Sequence, residues 1–268
     1  TLELRPWFLR LDQERTCAVF QNMSVPEIVT KVCTDAGFGH IRNALSSTYP
    51  AKEYTVRYGE TSFAFLSRLM AEAGIVYFFE HSGSAHTLVM ADSPDVFADC
   101  PQGATLEWLP DAQDKEGGPP TEPSAHVFEL SLSRQVAAAS CSVDDYNPLT
   151  PETSLAASAG EGFPCLGYPL AGHIDQQSGE GLAAIRLDAC ESEGFKLRGR
   201  SSCPGLSAGC AFAVKGHPDG QVNARWVATE VRFTASFPGD GTAETGRFLA
   251  DVSAVPASAP CRFSRGPA

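Results

Sequence analysis

The sequence predicts an α+β, β-rich fold, with a small α/β unit first and a second, mostly β unit after it. Three observations carry that prediction. The 268 residues are 43% hydrophobic and 19% charged, the balance of a folded globular chain long enough for one large domain or two smaller ones. In the first third, two capped helical patterns alternate with β-rich runs. Beyond a Gly/Pro-rich stretch at 101–124, apolar residues recur mainly at every second position, the period of a strand.

Leu2 and Leu4 alternate with Glu3 and Arg5 ahead of Pro6 and Trp7, which reads as the end of a strand. Ser24-Val25-Pro26-Glu27 then sets out a helix start. Ser24 is the N-cap hydroxyl, Pro26 sits in the first turn, and Glu27 can reach back to the cap. Val25, Ile28, Val29, Val32, Cys33 and Ala36 follow at helical spacing, and Gly37 supplies the left-handed residue that ends the run. Tyr54, Val56 and Tyr58 alternate with polar neighbours as a half-buried strand does, closed by Gly59. Over 61–73, Phe63, Leu66, Leu69, Met70 and Ala73 form one helical stripe, with Glu60 at the positive end of the dipole and Gly74 at the stop. Residues 75–80 and 86–90 are two β-rich runs joined by the Gly-containing loop 81–85.

The stretch 101–124 carries Gly117-Gly118-Pro119-Pro120 and several acids without apolar period, so the domain boundary is placed there. Phe128, Leu130 and Leu132 alternate, then Ala139, Cys141 and Val143, which suggests two antiparallel strands. Residues 153–162 are small, without period, and read as poorly ordered. Leu182, Ile185, Arg186 and Ala189 share a helical face within 180–193, ahead of Gly194. Strands at 195–198, 210–215 and 226–235 are separated by turns at 202–205 and 217–220, and Gly239-Asp240-Gly241 reads as a turn joining two more.

Composition and motifs then exclude several classes of function. Twenty Lys and Arg against 32 Asp and Glu leave a net charge of −12. That field repels phosphate backbones, so no nucleic-acid partner is expected. No apolar run approaches the roughly 20 residues of a membrane-spanning helix, and no export signal is readable in the first ten residues. The nine cysteines form no Cys-x-x-Cys pair and read as reduced thiols of a cytosolic fold.

Gly205-Leu206-Ser207-Ala208-Gly209 fits the elbow of serine hydrolases, yet a strand pattern follows where that chemistry needs a helix. Gly205 and Gly209 therefore read as loop glycines, and a hydrolase using Ser207 is a rival reading. A metal site from Cys203, Cys210 and His217 is another. His40, His81, His86, His126, His173 and His217 share no helix face and read as turn or strand-edge residues. Asp92 with Asp95, and Asp144-Asp145, read as solvated loop acids rather than paired catalytic carboxylates. No catalytic residue, cofactor or metal is expected. The residues singled out are structural: Ser24, Glu27, Gly37, Gly74, Gly205 and Gly209. The inventory suggests a structural or interaction role before catalysis.

Three stretches together resemble the VgrG spike proteins of bacterial type VI secretion systems. The first is Leu4-Arg5-Pro6-Trp7-Phe8-Leu9 followed by Cys17-Ala18-Val19-Phe20-Gln21-Asn22-Met23-Ser24-Val25-Pro26-Glu27-Ile28-Val29. The second, the most specific, runs from Tyr54-Thr55-Val56-Arg57-Tyr58-Gly59-Glu60 through Gly74-Ile75-Val76-Tyr77-Phe78-Phe79-Glu80 to His86-Thr87-Leu88-Val89-Met90-Ala91-Asp92. The third extends from Leu197-Arg198-Gly199-Arg200-Ser201-Ser202-Cys203-Pro204-Gly205-Leu206 to Gly216-His217-Pro218.

The resemblance implies a phage-tail-hub-like fold with a tube-type antiparallel β-barrel plus a small α/β subdomain. It implies that three copies form a ring that caps the hexameric Hcp tube, and that the ring meets baseplate proteins and effectors or adaptors. It also implies a chain made in the bacterial cytoplasm and secreted through the type VI apparatus on firing, a mechanical part and not an enzyme. A phage or prophage tail baseplate hub is the alternative of the same class.

Domains are placed accordingly. Residues 1–115 are the last strand of a first hub barrel plus the α/β subdomain, 116–124 a linker, 125–255 the second barrel with the helix near 180–193, and 256–268 a linker towards a neck and needle. By the same resemblance the chain looks like a hub fragment that lacks the rest of the first barrel and the needle.

Overall fold

In the computed structural model the described residues are 2–83, 85–110, 125–164, 175–236, 247–260 and 262. The chain divides into two units, each discontinuous in sequence. The first takes Thr1–Ser93, Ala137–Glu193 and Pro260–Ala268, the second Pro94–Val136 and Gly194–Ala259. One boundary between 1–115 and 125–255 therefore does not describe the molecule. The expected linker at 116–124 and the Gly239-Asp240-Gly241 turn lie outside the described residues.

Pro6, at φ −57° and ψ 150°, opens a 3-10 helix at Trp7–Asp12 where a strand end was expected. Trp7, Phe8 and Leu11 fall on one side of it and are buried, while Leu2 and Leu4 stay 83% exposed. Burying three large apolar side chains, at roughly 2 kcal/mol each, outweighs the strand-like alternation before them.

β1 (Arg15–Met23) leads directly into α1 (Val25–Asp35), β2 (Ile41–Ala44) follows, and β3 (Lys52–Thr61) leads into α2 (Ser62–Glu72). The hairpin β4 (Val76–Ser82) and β5 (Ala85–Ala91) completes this segment. β1 pairs antiparallel with β3, and β5 holds β2 parallel on one side and β4 antiparallel on the other. The core between them includes Phe8, Ile28, Val29, Phe65, Leu66, Leu69, Met70, Leu88 and Met90, none more than 2% exposed.

The chain next supplies β6 (Thr105–Trp108) and β7 (His126–Arg134) to the second unit. It returns to the first for β8 (Ser140–Val143), β9 (Ala157–Gly160) and α3 (Gln176–Gly194), all of α3 but its last residue belonging there. β8 pairs with β9 and not with β7. β9 lies in the stretch expected to be poorly ordered, and its small residues are the reason it pairs. Gly160, at φ +72°, backs so closely onto the Ala139 carbonyl that a side chain there would collide. α3 packs Ala183 against Val143 and Ala157, so it belongs to the first unit and not, as expected, to the barrel unit.

β10 (Phe195–Ser201), β11 (Ala211–Lys215), β12 (Arg225–Ser236) and β13 (Arg247–Pro256) complete the second unit. Its six strands close into a barrel in the order β10-β13-β12-β11-β6-β7. β10 pairs antiparallel with β13 and β7, and β12 with β11 and β13. Closure depends on β6, which pairs parallel with both β11 and β7. That short strand sits within 101–124, which reads as a linker because four residues are too few to show a period.

Inside, the large Trp226 and Phe212 are fully buried beside the small Ala228, Ala250 and Ala254. Such alternation of large and small side chains is how a narrow barrel is filled. Trp226 donates its indole N–H to the Val222 carbonyl at 2.9 Å, so its buried polar edge is satisfied.

Candidate functional site

The sheet of β1 and β3 is positioned by the two helices that follow its strands, and the singled-out residues fix the helix ends. The Glu27 carboxylate accepts the Ser24 N–H at 2.8 Å and the Ser24 hydroxyl at 2.7 Å, closing a capping box. Those two bonds, the backbone one first, lower the Glu27 pKa. Gly37 at φ +88° and Gly74 at φ +68° end α1 and α2. At each end the next residue returns a bond to the last turn, Phe38 N–H to the Cys33 carbonyl at 2.9 Å and Ile75 N–H to that of Met70 at 2.8 Å.

The helices lie against the inner face of the sheet, where Phe20 stacks on Phe65 at 5.4 Å and Thr55 is buried. The outer face is left to Cys17, Val19, Tyr54, Val56 and Tyr58. Tyr54 is 58% exposed, Val56 38%, Tyr58 84% and Val19 51%, and Val19 stands directly opposite Val56 in the ladder. Tyr54, Val56 and Tyr58 do share one face, as the alternation indicates, but it is the face away from the core. The second unit carries a smaller apolar spot on its barrel, Phe233 and Phe248, with ring centroids 5.1 Å apart and both partly exposed. Contiguous exposed apolar groups on sheet faces suit the burial of a protein partner.

Among the described residues the chemistry candidates come together only in part: His81 faces His86 across the β4–β5 hairpin with ring centroids 5.8 Å apart, and Cys203 and Cys210 share one core cluster, while His173 lies outside the described residues. The loop from Gly205 to Gly209 joins β10 to β11, and the chain runs on into a strand. Ser207 therefore lacks the strand-to-helix elbow a nucleophile needs. Its backbone N–H bonds the Cys210 sulfur at 3.2 Å. Gly209, at φ +85°, donates to the Ala228 carbonyl at 2.8 Å. Gly205 lies against Gln102, where a Cβ would stand 2.9 Å from that side chain.

His217 is turned edge-on to Trp108 at 4.7 Å, and its Nδ1 accepts the Asp219 N–H at 3.0 Å. Among the described residues no group of three or more His, Cys, Asp or Glu is arranged to hold a metal ion, and no helix is long and apolar enough to cross a membrane. His126 and Ser202 meet at 3.1 Å, while the Ser201 hydroxyl and Ser202 N–H both donate to the His126 carbonyl. This is a clip between β7 and the end of β10.

The model of the phage tail baseplate hub family matches residues 1–239. The chain belongs to that family. Among curated hub relatives, the type VI secretion system spike protein VgrG1b of Pseudomonas aeruginosa is 32% identical over 237 residues, covering 86% of this chain and 31% of that protein. VgrG1a of the same organism is 31% identical over 271 residues, covering 95% of this chain and 40% of that protein. The chain thus spans less than half the length of either. Among solved structures, an E. coli component of the type VI secretion system, described as similar to bacteriophage T4 tail proteins, superposes with a TM-score of 0.65 at 22% identity. It covers 98% of this chain and 56% of that one, and it supports the hub fold.

Sequence reasoning missed two features of this hub chain. Asp92, read as a solvated loop acid, is buried and takes four hydrogen bonds, from Ser46 N–H and hydroxyl, Ser47 N–H and Tyr49 hydroxyl. Nothing in the sequence spacing of Asp92 and 46–49 signals that contact. The clustering of Cys100 with Cys203 and Cys210 in the barrel core was equally hidden, because Cys100 lies far from the other two along the chain.

Proposed function

We propose that this chain is a non-enzymatic hub segment of a type VI secretion spike, three copies of which close into a ring that adapts the spike to the hexameric Hcp tube. The observation that carries this reading is the hub-family match across residues 1–239, joined to relatives named as type VI spike proteins over 86% and 95% of the chain. A ring of identical subunits needs heterologous contacts whose rotation closes, made by rigid elements without free strand edges. The closed barrel meets that requirement, and the exposed apolar face of β1 and β3 is the kind of surface such assembly buries. In this reading the chain is made in the bacterial cytoplasm and leaves through the apparatus. Baseplate proteins and effectors or adaptors are its further partners.

The test is the solution mass by light scattering across a wide concentration range, with and without purified Hcp. The expected result is a mass three times the 28.5 kDa of the chain, either formed only once Hcp is added or formed alone and raised further as the trimer binds Hcp. A mass that stays at one chain throughout and ignores the tube overturns the reading. A trimer indifferent to Hcp instead favours a phage or prophage tail hub, which the family's own description also fits.

A further inference from the structure

Three cysteines, one of them far along the chain from the other two, converge in the barrel. Cys100 lies just before β6, Cys203 just after β10 and Cys210 just before β11. Their exposures are 1%, 0% and 7%, and all three belong to one core cluster. A Cβ added at Gly103 would stand 2.6 Å from the Cys203 sulfur and 3.3 Å from that of Cys100, so both sulfurs crowd the space that this glycine leaves open. The Cys203 thiol reaches the Gln102 carbonyl at 3.6 Å, and the Cys210 sulfur accepts the Ser207 N–H at 3.2 Å. The Cys100 backbone N–H bonds the Ala211 carbonyl at 2.8 Å, which fixes it beside the start of β11.

Packing alone does not require this arrangement, because three buried thiols could as well be dispersed among the aliphatic side chains around them. The three thiols are not equivalent to one another. The Cys100 thiol is hydrogen-bonded to Cys203 and to Cys210, and these bonds, with burial, push its pKa up. Cys203 is lowered first by the Cys100 bond and then by the Gly205 and Leu206 N–H groups, against burial. Cys210 is lowered first by Cys100 and then, against burial, by Ser207. Cys100 thus stands beside two sulfurs whose pKa values its thiol lowers.

We infer that Cys100, Cys203 and Cys210 form an oxidation site at which a peroxide joins Cys100 to one of its two neighbours as a disulfide. The Cys203 or Cys210 thiolate attacks one oxygen of hydrogen peroxide. The O–O bond breaks, and the departing hydroxide takes up the proton that the attacking thiol released and becomes water. The Cys100 sulfur then attacks the sulfur of the resulting sulfenic acid, the S–O bond breaks, and the leaving hydroxide carries off the Cys100 proton as a second water. Two protein thiols thereby lose two protons and two electrons to one S–S bond, and one peroxide becomes two waters. Peroxide is little larger than water, so a transient opening of the turn-rich 202–210 connection admits it. The product ties the approach to β6, the strand that closes the barrel, to the connection between β10 and β11. The inference does not depend on the hub reading.

The experiment uses the full chain with exposed Cys17 removed by Cys17→Ser, treated with hydrogen peroxide, denatured, alkylated and mapped by mass spectrometry. The expected result is a loss of two hydrogens and a cross-link from the Cys100 peptide to the one carrying Cys203 and Cys210. Cys100→Ser abolishes that link, whereas Cys203→Ser or Cys210→Ser leaves the other partner available. The oxidised chain melts about 5 °C or more above the reduced one, and dithiothreitol reverses the shift. Cys100 remaining fully alkylated after peroxide, or linking to a cysteine outside these three, overturns the inference. The map of the Cys17→Ser chain decides the question even if Cys100→Ser fails to fold.

Discussion

Asp92 shows how one side chain can hold a segment that has no regular structure. Its carboxylate fastens residues 46–49 to the end of β5 through the four hydrogen bonds described above. Burial works to raise its pKa, but the bonds from Ser46 and Ser47 outweigh burial and hold the carboxyl well below its ordinary value. The Tyr49 hydroxyl is pushed the other way, upward, by burial and then by the Asp92 charge. Asp92→Asn turns an amide towards N–H donors and is expected to cost about 2 kcal/mol in urea unfolding at neutral pH. Because the folded state holds the Asp92 proton more weakly than the unfolded chain, acid favours unfolding. The contribution is complete above about pH 5 and is lost as pH falls. Stability measured from neutral to acid pH is therefore expected to fall less steeply in Asp92→Asn than in the parent.

Among the elements, α1 offers the cleanest link from sequence to structure. Ser24→Ala removes the hydroxyl that Glu27 accepts and is expected to lower stability by about 1 kcal/mol with the fold unchanged by circular dichroism. The cap of α1 and the stops of α1 and α2 were legible because they depend on a few adjacent residues whose chemistry admits one conformation, whereas the Thr61 cap of α2 was not read. The same local clarity marked the β4–β5 hairpin and the strands β10, β11 and β12. What sequence could not supply is which side of β3 faces inward. Alternation groups Tyr54 with Val56 and Tyr58, but only the packing of α1 and α2 on Phe20 and Thr55 decides that the group looks outward. β6 and β9 were illegible for another reason. Each is four residues long, too short for a period, and each is specified by a partner distant in sequence or by the absence of bulk at Gly160.

The molecule as a whole alternates between its two units, and this makes the value of each segment depend on what comes later. A chain cut after residue 136 keeps every residue of the first core, from Trp7 to Met90, but leaves β7 without β10 and β6 without β11. It is expected to retain the α1 and α2 helical signal by circular dichroism yet to aggregate on a sizing column, because two strands then present free edges. A monodisperse monomer from that cut would remove β6 and β7 from any essential role in solubility. On the ribosome the same interleaving imposes a timetable. The first core can close once β5 has emerged, whereas β6 and β7 must wait through β8, β9 and α3 before their partners are made. Such non-local pairing is slow to form and exposed while it waits. The nascent barrel, rather than the α/β unit, is then the part of this chain that a chaperone would be needed to guard.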